Sequence, residues 1–306
     1  MDIVYSSRKW VRRFKGLLMN ICVAIILVGI SYIIISPVIA IISRAFMHEV
    51  DLTNPMIFLI PINFTLDNIR TAWFHMDYVT SLTRTLVFSV GLGVLHVLVA
   101  AAVGYGFARF KVPGANVLFA LLVVTIVVPV QTYMVPLWMQ FRFFTLIPFV
   151  ELNLIGSFWP IVIITIFGVG MRSGLFIFIF RQFFRGLPKE IEEAALIDGA
   201  GIFRTFFRVM LPNAKPPIIT VLLFAFVWHY NDVFYTSMLA PGSRLIGMRM
   251  TNLEFAIRIG GEVIDHGWES LILYAGVFLV IAPIVAIYFL MQRYFVEGIE
   301  RSGIVG

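Results

Sequence analysis

Two charges of opposite sign interrupt long apolar stretches of this chain: Arg172 within 158–180 and Asp232 within 217–239. A charge at the centre of a membrane helix costs about 2.5–3.5 kcal/mol on insertion scales, so such groups turn toward a cavity or a partner. Asn231 and His229 stand beside Asp232, and the four together point to a polar interior. Gln131, Tyr133, Trp228 and Tyr230 add hydrogen-bonding groups and flat apolar faces of the kind that pack on sugar rings. One reading is a wall of a translocation path, where an arginine fork holds a carboxylate or hydroxyls. The other is structural: an Arg172–Asp232 pair, or a polar contact with a partner subunit, that only holds helices together. His229 fits a packing role better than a proton relay.

Other chemistries find little support. The histidines at 48, 75, 96, 229 and 266 show no metal-ligand spacing, and the single cysteine, Cys22, allows no intrachain disulfide or cysteine-based metal site. No G-x-x-x-x-G-K-[ST] phosphate loop occurs, so the chain is expected to bind no nucleotide in that manner. No nucleophile–base arrangement stands out, and no enzyme activity is expected.

The elements that must position these residues are membrane helices. The 306 residues are 60% hydrophobic and only 13% charged, with a mean hydropathy of +0.95. Soluble domains run near 45–50% apolar and about 25% charged. The net charge of +6 does not mark a nucleic-acid binder, because the basic residues flank apolar spans and form no separate basic domain. About 20 apolar residues cross a bilayer as a helix. Six stretches qualify: 17–43, 85–108, 115–139, 158–180, 217–239 and 271–292. The first follows a basic leader but is longer than a signal h-region, and it is read as an uncleaved span. The shorter apolar runs 56–64 and 143–150 are read as interfacial or packed loops. With the N-terminus inside, 15 Lys and Arg residues fall on inner segments and seven on outer ones, which places both termini in the cytoplasm. The expected fold is therefore all-α: a polytopic, multi-pass membrane protein of six helices, since open backbone groups find no partner in lipid. Gly91, Gly93, Gly104 and Gly106, with 100–102, offer a small face for close packing in the second span.

The remaining signal lies between the fourth and fifth spans, in the loop 187–213. Pro188 suits a first helical turn. Glu190, Glu192 and Glu193 follow at the positive end of the helix dipole. Ile191, Ala194 and Ala195 share one face, and Asp198-Gly199 breaks the helix. A second helix is expected with Phe203, Phe206, Phe207 and Met210 on one face, ended by Pro212. A small alanine-lined face with an acidic flank fits a groove on another protein. An ordinary amphipathic connector fits the same pattern.

Glu193-Ala194-Ala195, Asp198-Gly199-Ala200-Gly201, then Phe206 or Phe207 and Leu211-Pro212 resemble the EAA loop of ABC importer permeases of the carbohydrate type. Tyr105 to Phe110 with Val112-Pro113-Gly114, Pro129-Val130-Gln131, and Phe226 to Asp232 resemble other segments of that family. The stretch 292–299 resembles the tail of its maltose-G-type members. The resemblance covers roughly residue 64 to the C-terminus. It implies a single permease domain over 1–306, with an N-terminal segment over 1–80, a core over 81–297 and a cytoplasmic tail over 298–306. It implies a coupling helix that docks on an ATPase. The implied partners are a second, different permease, two ATP-binding-cassette subunits that hold ATP and Mg, an extracytoplasmic solute-binding protein and a sugar. No cofactor is expected on this chain, and the implied location is the bacterial inner membrane. Arg172 departs from that family, where an uncharged polar residue is usual. The alternative is an ion-coupled secondary transporter using Arg172, Asp232 and His229.

Overall fold

The computed structural model describes residues 2–54, 57, 60–147, 150–259 and 266–303. The 56–64 run is thus only partly described, and the side chains of 293–299 lie outside the described residues. In chain order the helices named here are α1 (Asp2–Ala45), α2 (Asp67–His75), α3 (Tyr78–Arg109), α4 (Ala115–Val127), α5 (Met134–Arg142), α6 (Trp159–Ile166), α7 (Ser173–Gly186), α8 (Glu190–Ile197), α9 (Ile202–Thr205), α10 (Leu211–Asn213), α11 (Lys215–Tyr230), α12 (Phe234–Leu239) and α13 (His266–Gly303). The run 143–150 is not a plain loop. Phe144–Ile147 (β1) pairs antiparallel with Val150–Leu152 (β2), with an irregular register between Thr145 and Ile147, so these residues form a short ribbon.

Three of the six expected spans are unbroken: Lys15–Ala45, Tyr78–Arg109 and Gly267–Gln292. Through most of the first, up to Ile39, the apolar side chains are exposed, as a lipid-facing segment requires, whereas its end at Ala45 is buried. The other three are each interrupted, for local reasons. Val128 precedes Pro129 and takes an extended conformation, as the proline ring demands, and a tight turn at Val130–Thr132 separates α4 from α5. Gly168 and Arg172 both have positive φ, 71° and 58°, which separates α6 from α7. Asn231 folds its side chain back onto Val227 O at 2.9 Å and closes α11 before α12 begins.

The chain divides into two compact units, 1–75 with 254–279 and 76–253 with 280–306. In the first, Asn68 donates to the carbonyls of Ala45 and Met47 and accepts from the Trp268 indole at 2.9 Å. Arg44 donates to the Tyr274 hydroxyl at 2.6 Å. Asp51 gathers the backbone amides of Ile62 and Asn63, both at 2.8 Å. In the second, α3 packs against α7 and α11 around Tyr105, Phe176, Phe180, Phe184, Phe206 and Met210. Of the small residues in α3, Gly93, Ala100, Ala101 and Gly104 are buried in the contact, Gly93 against Leu222 of α11. A Cβ on Gly104 would lie 2.7 Å from Phe180 Cβ and 2.9 Å from Arg181 N, whereas one on Gly91 would meet nothing within 4 Å.

Candidate functional site: a two-helix loop and a lined cavity

The loop 187–213 forms as two short helices joined by a tight turn. Gly199 has φ of 78° and closes α8: its amide bonds to Leu196 O and the Ala200 amide to Ala195 O, both at 3.0 Å. That pair of bonds is the Schellman closure, which needs the left-handed conformation that glycine adopts at least cost. Ala195 is buried, while Glu193, Ala194 and Asp198 are exposed, as is Ile197 at 86%. Pro188 lies ahead of the first helical residue rather than in the first turn.

The second helix differs from its sequence reading. Thr205 and Phe206 are buried, but Phe203 is 81% exposed and Phe207 is also exposed. Residues 206–210 form a π-turn, which widens the helix by one residue and rotates the aromatic positions off a single face. Pro212 does not end this helix; it lies in the first turn of α10, where its missing N–H is tolerated. The chain bends by 79° between Asn213 and Lys215, where Pro216 and Pro217 start α11. Gly201, ahead of α9, takes ordinary negative φ.

The contact that anchors the loop was not read from the sequence. Glu192 accepts a hydrogen bond from the Tyr105 hydroxyl, and its second carboxylate oxygen lies 3.3 Å from Arg109 Nε. Arg109 also donates through Nη2 to Leu187 O at 2.9 Å. Arg109 is therefore ion-paired and hydrogen-bonded at the end of α3, and the Tyr105 ring packs on Phe206 at 5.2 Å. The end of α3 thus holds both the start of α8 and the π-turn. The only sequence signal was the apposition of an acidic first turn with a Tyr-x-x-x-Arg ending of the second span.

A cavity of about 920 Å³ opens where the interrupted helices meet. Five of the seven residues read as path residues line it: Gln131, Tyr133, Arg172, Trp228 and Asp232. Tyr235 joins them and shares a 3.1 Å hydroxyl contact with Tyr133. Tyr230 and Asn231 do not line it. Tyr230 is buried with its hydroxyl donating to Val280 O at 2.8 Å, and Asn231 is held on Val227. The helical period turns these two neighbours of Trp228 and Asp232 away.

None of the ion pairs among the described residues joins Arg172 to Asp232. Asp232 accepts the amides of Tyr235 and Thr236 at 3.0 Å each, so its carboxylate caps α12. Arg172 places its guanidinium 5.4 Å from the centre of the Trp228 ring, and Phe176 and Phe224 hold that ring from other sides. His229 is buried and stacks on His96 at 5.1 Å, which fits packing. No group of three or more His, Cys, Asp or Glu residues that could hold a metal occurs among the described residues.

Apolar helices of spanning length, a short helical loop between interrupted ones and a lined cavity define an integral membrane transport subunit. The family model for the binding-protein-dependent transport system inner membrane component matches residues 97–301. The chain belongs to that family. It is 28% identical over 282 residues to the arabinooligosaccharides transport system permease protein AraQ of Halalkalibacterium halodurans, covering 90% of this chain and 93% of that protein. It is 26% identical over 295 residues to the maltodextrin transport system permease protein MdxG of Bacillus subtilis, covering 95% and 98%. The alpha-glucoside transport system permease protein AglG of Rhizobium meliloti is 29% identical over 251 residues; the match covers 80% of this chain and 62% of AglG. A crystal structure of a bacterial ABC transporter involved in the import of the acidic polysaccharide alginate shares the fold, with a TM-score of 0.72 at 21% identity over 91% of this chain and 96% of that one.

Proposed function

We propose that this chain is one of two permease subunits of an ATP-driven importer, forming half of the path for a sugar or oligosaccharide. The observation that carries the reading is the tethered loop. A short helix presents Glu193, Ala194 and Ile197 outward while Glu192 fixes it to the end of a spanning helix. A force applied to that outward face is delivered to α3 through an ion pair and a hydrogen bond. The complete assembly has a second, different permease, two ATPase subunits that bind ATP and Mg, and an extracytoplasmic binding protein. In this reading the chain crosses the membrane six times with both termini in the cytoplasm of a bacterium, in keeping with the Lys and Arg bias. Several similar proteins are sugar transport permeases, which supports a sugar as the cargo.

The ion-coupled alternative gains no support from the geometry. Asp232 is engaged by helix amides, His229 stacks on His96, and Arg172 lies over Trp228, so the three form no relay. The test is uptake by membrane vesicles carrying the whole assembly. Sugar accumulation that needs ATP inside and survives collapse of the ion gradients is expected; accumulation driven by an ion gradient without ATP contradicts the reading.

A further inference from the structure

The cavity holds two ionisable side chains of opposite charge among its described lining residues, Arg172 and Asp232, and they are not equivalent. Asp232 is buried, and each of its carboxylate oxygens already accepts a backbone amide at 3.0 Å. Its charge is spread into the first turn of α12, and each oxygen already holds one donor. Arg172 is exposed, and no hydrogen bond or ion pair to its guanidinium is found among the described residues. Its neighbour is the Trp228 ring, which supports a flat cation without using up its N–H donors. The guanidinium fork is therefore free to meet a planar anion through two parallel hydrogen bonds.

The backbone at Arg172 adds a second observation. A φ of 58° and ψ of 14° put it in the left-handed region, where a side chain costs more than glycine. Gly168 and Gly170 stand a few residues before it, so glycine is already used in this break. A residue with a Cβ held in that conformation at the wall of a cavity is the kind of local strain that gathers at functional positions.

We propose that the cavity favours a sugar bearing a carboxylate, a uronic acid unit, with Arg172, backed by Trp228, gripping the carboxylate and the exposed Tyr133 ring of the same wall taking an apolar ring face. This rests on the importer reading above and narrows its substrate class. Neutral sugars would find the same wall and hydroxyls but no use for the free fork, and an unpaired cation gains most from a charged partner.

The test uses the purified whole assembly in detergent, without the binding protein, and titrates two probes by calorimetry. One is a galacturonic acid trisaccharide; the other is the same trisaccharide with its carboxyls reduced to alcohols. The wild-type assembly is expected to bind the acidic probe about tenfold more tightly, as one charge-assisted contact allows. Arg172→Gln should reduce that ratio to near one, and Arg172→Lys, which keeps the charge but not the fork, should restore some of it. Equal binding of both probes by wild type, or a ratio unchanged in Arg172→Gln, overturns the acidic preference and leaves the importer reading standing. Binding of neither probe by the wild-type assembly also overturns it, and ATP-driven uptake of another sugar then separates that failure from failure of the importer reading.

Discussion

Glu192 and Arg109, 83 positions apart, meet as an ion pair at 3.3 Å and join the loop helix to the end of a membrane-spanning one. Arg109 is 6% exposed and Glu192 16% exposed, so the pair is largely shielded from solvent. Removing one partner of a fully buried pair costs about 3–5 kcal/mol. The residual exposure of Glu192 lowers the expected loss for Glu192→Ala or Arg109→Ala to about 2–3 kcal/mol by the same reasoning. The double variant should cost less than the sum, because the second change removes a charge already left alone. Thermal unfolding of the purified assembly measures the stability, and sugar-stimulated ATP hydrolysis measures the coupling. Additive losses, or full coupling in both single variants, would show that the contact carries no force.

The outward face of the same helix makes a different prediction. Gly199→Val places a β-branched side chain at φ of 78°, with a local cost of about 1–2 kcal/mol or more. Glu193→Lys reverses an exposed charge without touching a packed contact. Both should insert in the membrane at wild-type levels and lose sugar-stimulated ATP hydrolysis. Membrane content by immunoblot, set beside hydrolysis rates, checks this; normal coupling in both contradicts a docking role.

These two positions show what could be read in the chain. The spans were legible because apolar runs of about 20 residues carry their own signal, and the loop because Asp-Gly ends a helix locally. The acidic residue that grips α3 is Glu192, next to the more conspicuous Glu193 of the Glu-Ala-Ala run. A pairing across 83 positions leaves no local trace. The breaks at Gly168–Arg172 and Asn231 were hidden for a related reason: apolar composition is equally compatible with one long helix or two short ones. Asp232 stands out in the sequence as a charge within an apolar run, yet its partners are amides three and four residues onward, not the arginine of the preceding span. Pro212 does not end the helix because it lies in the first turn of α10, where a missing N–H is tolerated.

Charge exchange between the two cavity residues tests their separate roles. With no ion pair joining them, Arg172→Asp combined with Asp232→Arg should not restore uptake. Asp232→Ala alone removes the cap of α12 and should cost about 1 kcal/mol of stability, in the range for helix caps. Uptake and thermal unfolding of the single and double variants decide it. Recovery of normal uptake in the exchanged double variant would mean the two charges act as a pair.

The loop after the first span carries a pH dependence of definite sign. Asp51 is held below its ordinary value of 3.8, first by the backbone hydrogen bond from Asn63, with further help from the Asn63 side chain and the Ile62 amide. A carboxyl whose folded pKa is lowered adds stability above its ordinary value and loses it as pH falls through the folded one. Hydrogen exchange at the amides of Ile62 and Asn63 should therefore stay slow from neutral pH to about pH 5 and quicken, beyond the intrinsic trend, as Asp51 protonates below about pH 4. Asp51→Asn should exchange faster at neutral pH and lose that acid-dependent step. The same protection in the variant would show that the carboxylate does not order the loop.

The most direct measurement is native mass spectrometry of the tagged chain purified gently from its own membrane. The expected particle contains one copy of this chain, one copy of a different permease and two ATPase subunits, and it hydrolyses ATP faster when sugar and binding protein are added. A transport-competent particle built from copies of this chain alone, with no ATPase bound, would contradict the importer assignment.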